Sequence, residues 1–130
     1  MPIPPTPPPA GSASRVLDHP EPADICLEGV LHALADPVRL RIVRRLAADG
    51  ELSCAAIDLP VSKSTTTHHF RVLREHGVVS QIYQGTAKMN VLRRTDLDAL
   101  FPGLIDSVLR AAELQERRGS GAAGRGPQGE

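Results

Sequence analysis

The stretch Val61–Gly77, VSKSTTTHHFRVLREHG, sets tight limits on what the chain around it can be. Ser62 is a good helix N-cap, because its hydroxyl can accept a hydrogen bond from a first-turn backbone N–H. Thr66, Phe70 and Leu73, with His69 beside them, recur at helical spacing and define an inward face. Ser64, Thr65, Thr67, His68, Arg71 and Arg74 fall on the other side, and Gly77 supplies a stop. A helix that is apolar on one side and short, polar and basic on the other suits insertion into a DNA groove, provided its neighbours hold it there.

Those neighbours are legible. Apolar residues Ile25, Leu27, Val30, Leu31 and Leu34 predict a first helix from Pro22. It must end near Asp36-Pro37, because a residue before proline is pushed out of the α region. Asp36 then caps a second helix with Pro37 as its first residue. In VRLRIVRRLAADG, Val38, Leu40, Ile42, Val43 and Leu46 turn inward; Arg39, Arg41, Arg44 and Arg45 sit mostly outward, and Gly50 closes the helix. Glu51–Leu59 reads as a short third helix stopped by Pro60, so that with Val61–Gly77 it forms a helix-turn-helix. Beyond Gly77, VVSQIY and AKMNVL read as two strands around Gln84-Gly85-Thr86. Such a hairpin is a wing, and Gln84, Thr86 and Lys88 at its tip can reach phosphate or a groove edge.

Thr95 caps a last helical stretch, which Pro102-Gly103 interrupts before LIDSVLRAAELQERR resumes. Leu97, Leu104, Ile105, Val108 and Leu109 there present more apolar surface than a small domain covers alone. A dimer face on this stretch is therefore expected. Residues 1–21, opening MPIPPTPPPAGSAS, read as a disordered proline-rich arm without the basic and apolar regions of a signal peptide. Residues 22–118 hold the domain, and the Gly/Ser/Ala-rich residues 119–130 read as a disordered tail.

Net charge is zero, but between Pro37 and Arg94 ten Lys/Arg stand against four Asp/Glu. A basic middle with acidic flanks points to a polyanion as partner of that middle. With no Trp, one Tyr and two Phe, the stacking platforms that bind single strands are missing, so double-stranded DNA is the expected partner. Two cysteines cannot build a disulfide framework and fit a reducing cytoplasm. No apolar run approaches the ~20 residues of a membrane span. No nucleophile–base pair, phosphate loop or carboxylate pair suggests an enzyme.

ALADPVRLRIVRRLAADGELS, then VSKSTTTHHFRVLREHGVV, then a hairpin, together resemble the ArsR/SmtB family of bacterial winged-helix repressors, over roughly Leu27–Leu92. The resemblance implies homodimers paired through the first and last helices, which brings Leu27 and Leu31 into the expected interface, with recognition helices in successive major grooves of an inverted-repeat operator and repression relieved by an inducer. Many relatives sense metal through an ELCVC-type motif. Here the corresponding stretch is ELSCAAIDL, with Ser53 and Ala55 where thiolates would stand. Cys54 alone cannot supply the ligands soft metals require. The last helix, where the family carries a second metal site, has no His; its Asp96, Asp98, Asp106 and Glu113 make a poor transition-metal set. No metal and no cofactor are expected, and the inducer is unidentified.

The expected DNA contacts are therefore Lys63, Ser64, Thr65, Thr67, His68, Arg71 and Arg74 on the helix, with Gln84, Thr86 and Lys88 on the wing. Hydroxyls and amines suit phosphates, while Arg71 or His68 suits a guanine edge. The bland alternative is a solvated helix face, against which the wing and the basic middle weigh. His69 is expected to pack, and consecutive histidines point about 100° apart on a helix, too far to chelate one ion. One rival role is a metal- or thiol-redox-responsive sensor using Cys26 and Cys54, joined by His32, although free cysteines are more often small buried hydrophobes. Another is a winged helix used for protein–protein interaction, which salt dependence separates from DNA binding. The expectation is a mainly α winged helix-turn-helix of about five helices with a small β-hairpin, a cytoplasmic homodimeric transcriptional repressor.

Overall fold

The computed structural model describes residues 14–123, which form two compact units dividing between Arg93 and Arg94. The first contains helices α1 (Leu27–Leu34), α2 (Pro37–Asp49) and α3 (Lys63–Glu75). It also contains strands β1 (Ser14–Val16), β2 (Leu52–Ser53), β3 (Val79–Gln84) and β4 (Ala87–Leu92), in one antiparallel sheet of order β1-β3-β4-β2. The second holds α4 (Arg94–Leu100) and α5 (Leu104–Ala123).

Local chemistry fixes the ends of these helices. The Asp36 carboxylate accepts from the N–H groups of Val38 at 2.9 Å and Arg39 at 3.0 Å, capping α2. Ser62 Oγ accepts from Thr65 N–H at 3.2 Å and starts α3. Gly77 leaves α3 at φ +81°, and a Cβ there would sit 2.5 Å from the Ile25 side chain, so glycine is required twice over. Helices α1, α2 and α3 pack on one another around Val30, Ala33, Ile42, Val43, Leu46, Phe70 and Leu73, all buried. The apolar stripes read from the sequence are these faces.

Strands β3 and β4 pair from Val79 opposite Leu92 to Gln84 opposite Ala87. Their two-residue loop has φ +65° at Gly85 and no positive φ at Thr86, the pattern of a type II′ hairpin turn. The wing is thus as expected, but both its edges are covered. Strand β2 pairs with β4, and β1 pairs with β3, Ser14 lying opposite Gln84.

Four expectations need correction. The arm expected to run disordered through residue 21 joins the fold from Ser14: β1 lies on β3, His19 Nε2 accepts from Gln81 N–H at 2.9 Å, and the Pro20 carbonyl accepts from Arg93 Nη1 at 2.9 Å. Composition could not reveal this, because the open edge of β3 pairs with backbone rather than with side chains. Residues 1–13 of that arm lie outside the described residues. The first α-helix starts at Leu27, with only a 3-10 turn at Pro22–Asp24. The helix expected over Glu51–Leu59 is β2 followed by one 3-10 turn, Cys54–Ala56. Pairing of Leu52 and Ser53 with β4, a Ser53 hydroxyl that accepts from Ala56 N–H at 3.1 Å, and Pro60 leave no room for two helical turns. Finally, α5 continues through Ala123, past the expected start of a tail at residue 119; residues 124–130 lie outside the described residues.

Within the second unit, Gly103 turns at φ +83° between the helices, and Arg94 bonds Asp98 at 3.1 Å and also Asp106. Leu97 and Ile105 are fully buried within the single chain. They therefore drop out of the expected dimer face, while Leu104, Val108 and Leu109 are half-buried. No helix among the described residues is long and apolar enough to cross a membrane.

Candidate nucleic-acid interface

Helix α3 carries Lys63, Ser64, Thr67, His68 and Arg71 on its exposed side. The Thr67 hydroxyl donates to the Lys63 carbonyl at 3.1 Å, and Arg71 Nη2 lies 3.3 Å from His68 Nδ1, one turn back. An Arg–His pair at this spacing presents two donors side by side to solvent. Thr65 is half-buried instead, and its hydroxyl accepts from Ser62 Oγ at 2.9 Å, so it belongs to the cap as much as to the surface. Gln84 and Thr86 are exposed at the wing tip; Lys88 is half-buried with its amine 5.4 Å from the Tyr83 ring centroid.

Two polar networks hold this face in place. The first is built on Arg39, which is 8% exposed rather than outward. Its Nε donates to the Ala33 carbonyl at 2.8 Å and its Nη2 to the His32 carbonyl at 3.2 Å, which also accepts from Ala35 N–H, so Arg39 clamps the end of α1. Its Nη1 lies 3.1 Å from His69 Nδ1. A guanidinium can only donate, so Nδ1 accepts and the His69 proton sits on Nε2. Burial first, then the Arg39 charge, lowers the His69 pKa below the ordinary histidine value against the opposing pull of Asp36. The imidazole expected to pack does so: His69 is buried and neutral, and it ties α3 to α2 and through Arg39 to α1.

The second network joins α3 to the wing. Arg74, expected to contact DNA, turns inward and its Nη1 donates to Gln81 Oε1 at 2.7 Å. Gln81 Nε2 donates to Asn90 Oδ1 at 2.7 Å across the strand pair, and Asn90 Nδ2 donates to the Leu52 carbonyl at 3.1 Å and to Cys54 Sγ at 3.3 Å. Gln81 and Asn90 are completely buried. Buried amides are tolerated only when bonded, and here their bonds fix the hairpin against both α3 and β2. A signal existed in two amides at strand positions where alternation calls for apolar residues. Arg74 leaves the list of DNA contacts for the same reason.

The cysteines do not come together as a sensor pair. Cys54 is half-buried in the amide network, whereas Cys26 is exposed at the start of α1, close to His76 across Gly29. His32 packs edge-on to His76, with ring centroids 5.4 Å apart. Among the described residues no group of three or more His, Cys, Asp or Glu is placed to hold a metal ion.

Residues 34–82, from the end of α1 through most of β3, match the model of a family described as a helix-turn-helix domain. The chain is 32% identical over 82 residues to the uncharacterized HTH-type transcriptional regulator YceK of Bacillus subtilis (strain 168), covering 61% of this chain and 82% of that protein. The crystal structure of an ArsR family transcriptional regulator superposes with a TM-score of 0.54 at 23% identity, covering 69% of this chain and 96% of that one. The chain belongs to the HTH-type transcriptional regulators and has the ArsR winged-helix fold.

In this HTH-type regulator, the residues that carried the resemblance now have physical roles. The Asp36-Pro37-Val38-Arg39 entry to α2 is a cap for one helix and a C-terminal clamp on the one before it. The paired histidines of α3 divide their work: His68 faces out, while His69 is held by Arg39. The helix expected before α3 is a single 3-10 turn, so the placement of α3 rests on α2, on α1 and on the Arg74–Gln81 link.

Proposed function

We propose that this regulator binds an inverted-repeat operator as a homodimer and represses transcription, with α3 in the major groove and the wing tip on the flanking backbone. The exposed face of α3 supports this reading most directly. Lys63, Ser64 and Thr67 suit phosphates and Arg71 with His68 suits a base edge, while the Arg39 and Arg74 networks keep the helix from reorienting. Leu27 and Leu31, 42% and 45% exposed on one side of α1, support pairing of two copies. Half-sites would then lie about one helical turn apart. A cytoplasmic location follows from this reading.

Selection of bound duplexes from a random library, followed by fluorescence anisotropy at several salt concentrations, tests it. A two-fold symmetric consensus and a steep fall of affinity with salt are expected, because each phosphate contact releases counterions. Recovery of no consensus, or affinity indifferent to salt, would sink the proposal in favour of a winged helix that binds protein. Arg71→Ala should weaken operator binding by about 1–3 kcal/mol while leaving random DNA nearly unaffected. An equal loss on both would make Arg71 a phosphate contact.

A further inference from the structure

A cavity of about 580 Å³ opens between the Ser53–Leu59 segment, the inner edge of α3 and the wing. Its size falls within the roughly 300–1,000 Å³ of small-molecule sites. Its apolar surface comes from half-buried Leu59 and the half-buried Tyr83 ring with exposed Ala55 and Ala87, while Ile57 and Phe70, which also line it, are almost wholly buried. Lys63 from α3 and Lys88 from β4 supply two cations at its walls, against the single acid Asp58, and Thr66, Thr67 and Tyr83 add hydroxyls. Lys88 lies over the Tyr83 ring, so a cation and an aromatic face already stand together there.

We propose that this cavity binds a small organic anion with an aromatic body, such as an aryl carboxylate, and that its occupant excludes DNA. The charge surplus selects an anion. A passing sugar-phosphate strand would satisfy the lysines but leave charge against Leu59 and the Tyr83 ring, so those residues specify an apolar body. Exclusion follows from shared residues: Lys63, Thr67, Thr86 and Lys88 line the cavity and are also the proposed phosphate contacts, so ligand and operator draw on the same side chains. No conformational relay is needed. The exclusion half rests on the proposed function, and the binding half does not.

Naphthalene-2-carboxylate serves as probe, titrated into the full chain by calorimetry and followed by NMR, with naphthalen-2-ylmethylammonium as the opposite-charge control. Saturable one-to-one binding below about 1 mM is expected for the carboxylate and none for the amine. Ala87→Trp and Ala55→Trp, each at an exposed alanine lining the cavity, should abolish it, and Lys88→Gln should weaken it at least five-fold. Two filling variants on separate segments guard against one of them failing to fold. No carboxylate binding, equal binding of the amine, or binding indifferent to both filling variants overturns the site. On a selected operator, saturating carboxylate should lower duplex affinity at least ten-fold. Unchanged duplex affinity with the cavity filled overturns the exclusion. A chain that binds no duplex would fail the proposed function instead, and the carboxylate isotherm would still report on the cavity.

Discussion

Arg39 does for this fold what no apolar residue could. Its three bonded nitrogens close the end of α1 and lock His69 of α3, while its own backbone N–H belongs to the Asp36 cap. Replacing it with methionine keeps the stem but takes the guanidinium donors from the carbonyls of His32 and Ala33, of which His32 retains only the Ala35 N–H. A loss of about 2–3 kcal/mol, read from urea unfolding, is expected from hydrogen bonds to a charged group. Lysine should rescue little, because one ammonium cannot reproduce the planar fork; full stability in either variant would show the clamp to be dispensable. Two histidines add a pH dependence at the same scale. His19 accepts at Nε2 from Gln81 N–H, and His69 accepts at Nδ1 from Arg39, so both bonds need the neutral ring. Burial is the largest cause lowering each pKa, countered for His19 by the Leu17 backbone and for His69 by Asp36. The unfolded chain takes up these protons near pH ~6.5 and the folded chain resists until lower pH, so stability is complete above ~6.5 and falls as pH drops below it. Urea midpoints at pH 7.5 and about 5.5 should differ in that direction; equal midpoints would mean that neither histidine is linked to folding.

Helix α3 and the wing were legible as elements because their signals are local. A serine cap, a 3.6-residue apolar stripe and a glycine at positive φ define α3, and alternation around a Gly-containing turn defines the hairpin. Ser62→Ala should cost about 1 kcal/mol in unfolding free energy, since its hydroxyl accepts from Thr65 N–H and donates to Thr65 Oγ1 in the first turn of α3. A change indistinguishable from zero would mean that tertiary packing alone sets where the helix starts. What the sequence did not reveal is how the elements are fastened. Helical spacing puts Arg39 on the stripe of Ile42, Val43 and Leu46 and Arg74 one turn beyond Phe70, unlike Arg41 and Arg71, but it does not show the acceptors that wait for them: the end of α1 for one, the Gln81 amide for the other. Likewise ELSCAAIDL carries helix-forming residues, but β4 offers Leu52 and Ser53 a ladder, and the Asn90 amide of β4 donates to the Leu52 carbonyl. Partners distant in sequence decide such cases, and periodicity is blind to them.

At the scale of the whole molecule, the decisive quantity is how much apolar surface one protomer leaves uncovered on α1. Leu27 and Leu31 stand one turn apart there and remain two-fifths or more exposed, although Val30, Ala33 and Leu34 beside them are buried. A leucine taken fully from water contributes roughly 1.5–3 kcal/mol, and in a symmetric pair each contribution counts twice. Leu31→Glu puts like charges face to face in any such seam while removing little from the protomer itself. Sedimentation should therefore show a dimer for the parent chain and a monomer for the variant, with the urea midpoint at high dilution, where both are monomeric, almost unchanged. Operator binding should fall in step, because a monomer reaches one half-site and loses the gain from tethering a second. Affinity of the variant for the full repeat should then equal its affinity for an isolated half-site. A variant that still sediments as a dimer would move the seam away from α1, whereas a monomer that keeps full operator affinity would leave the seam in place and remove the symmetric operator from the proposal.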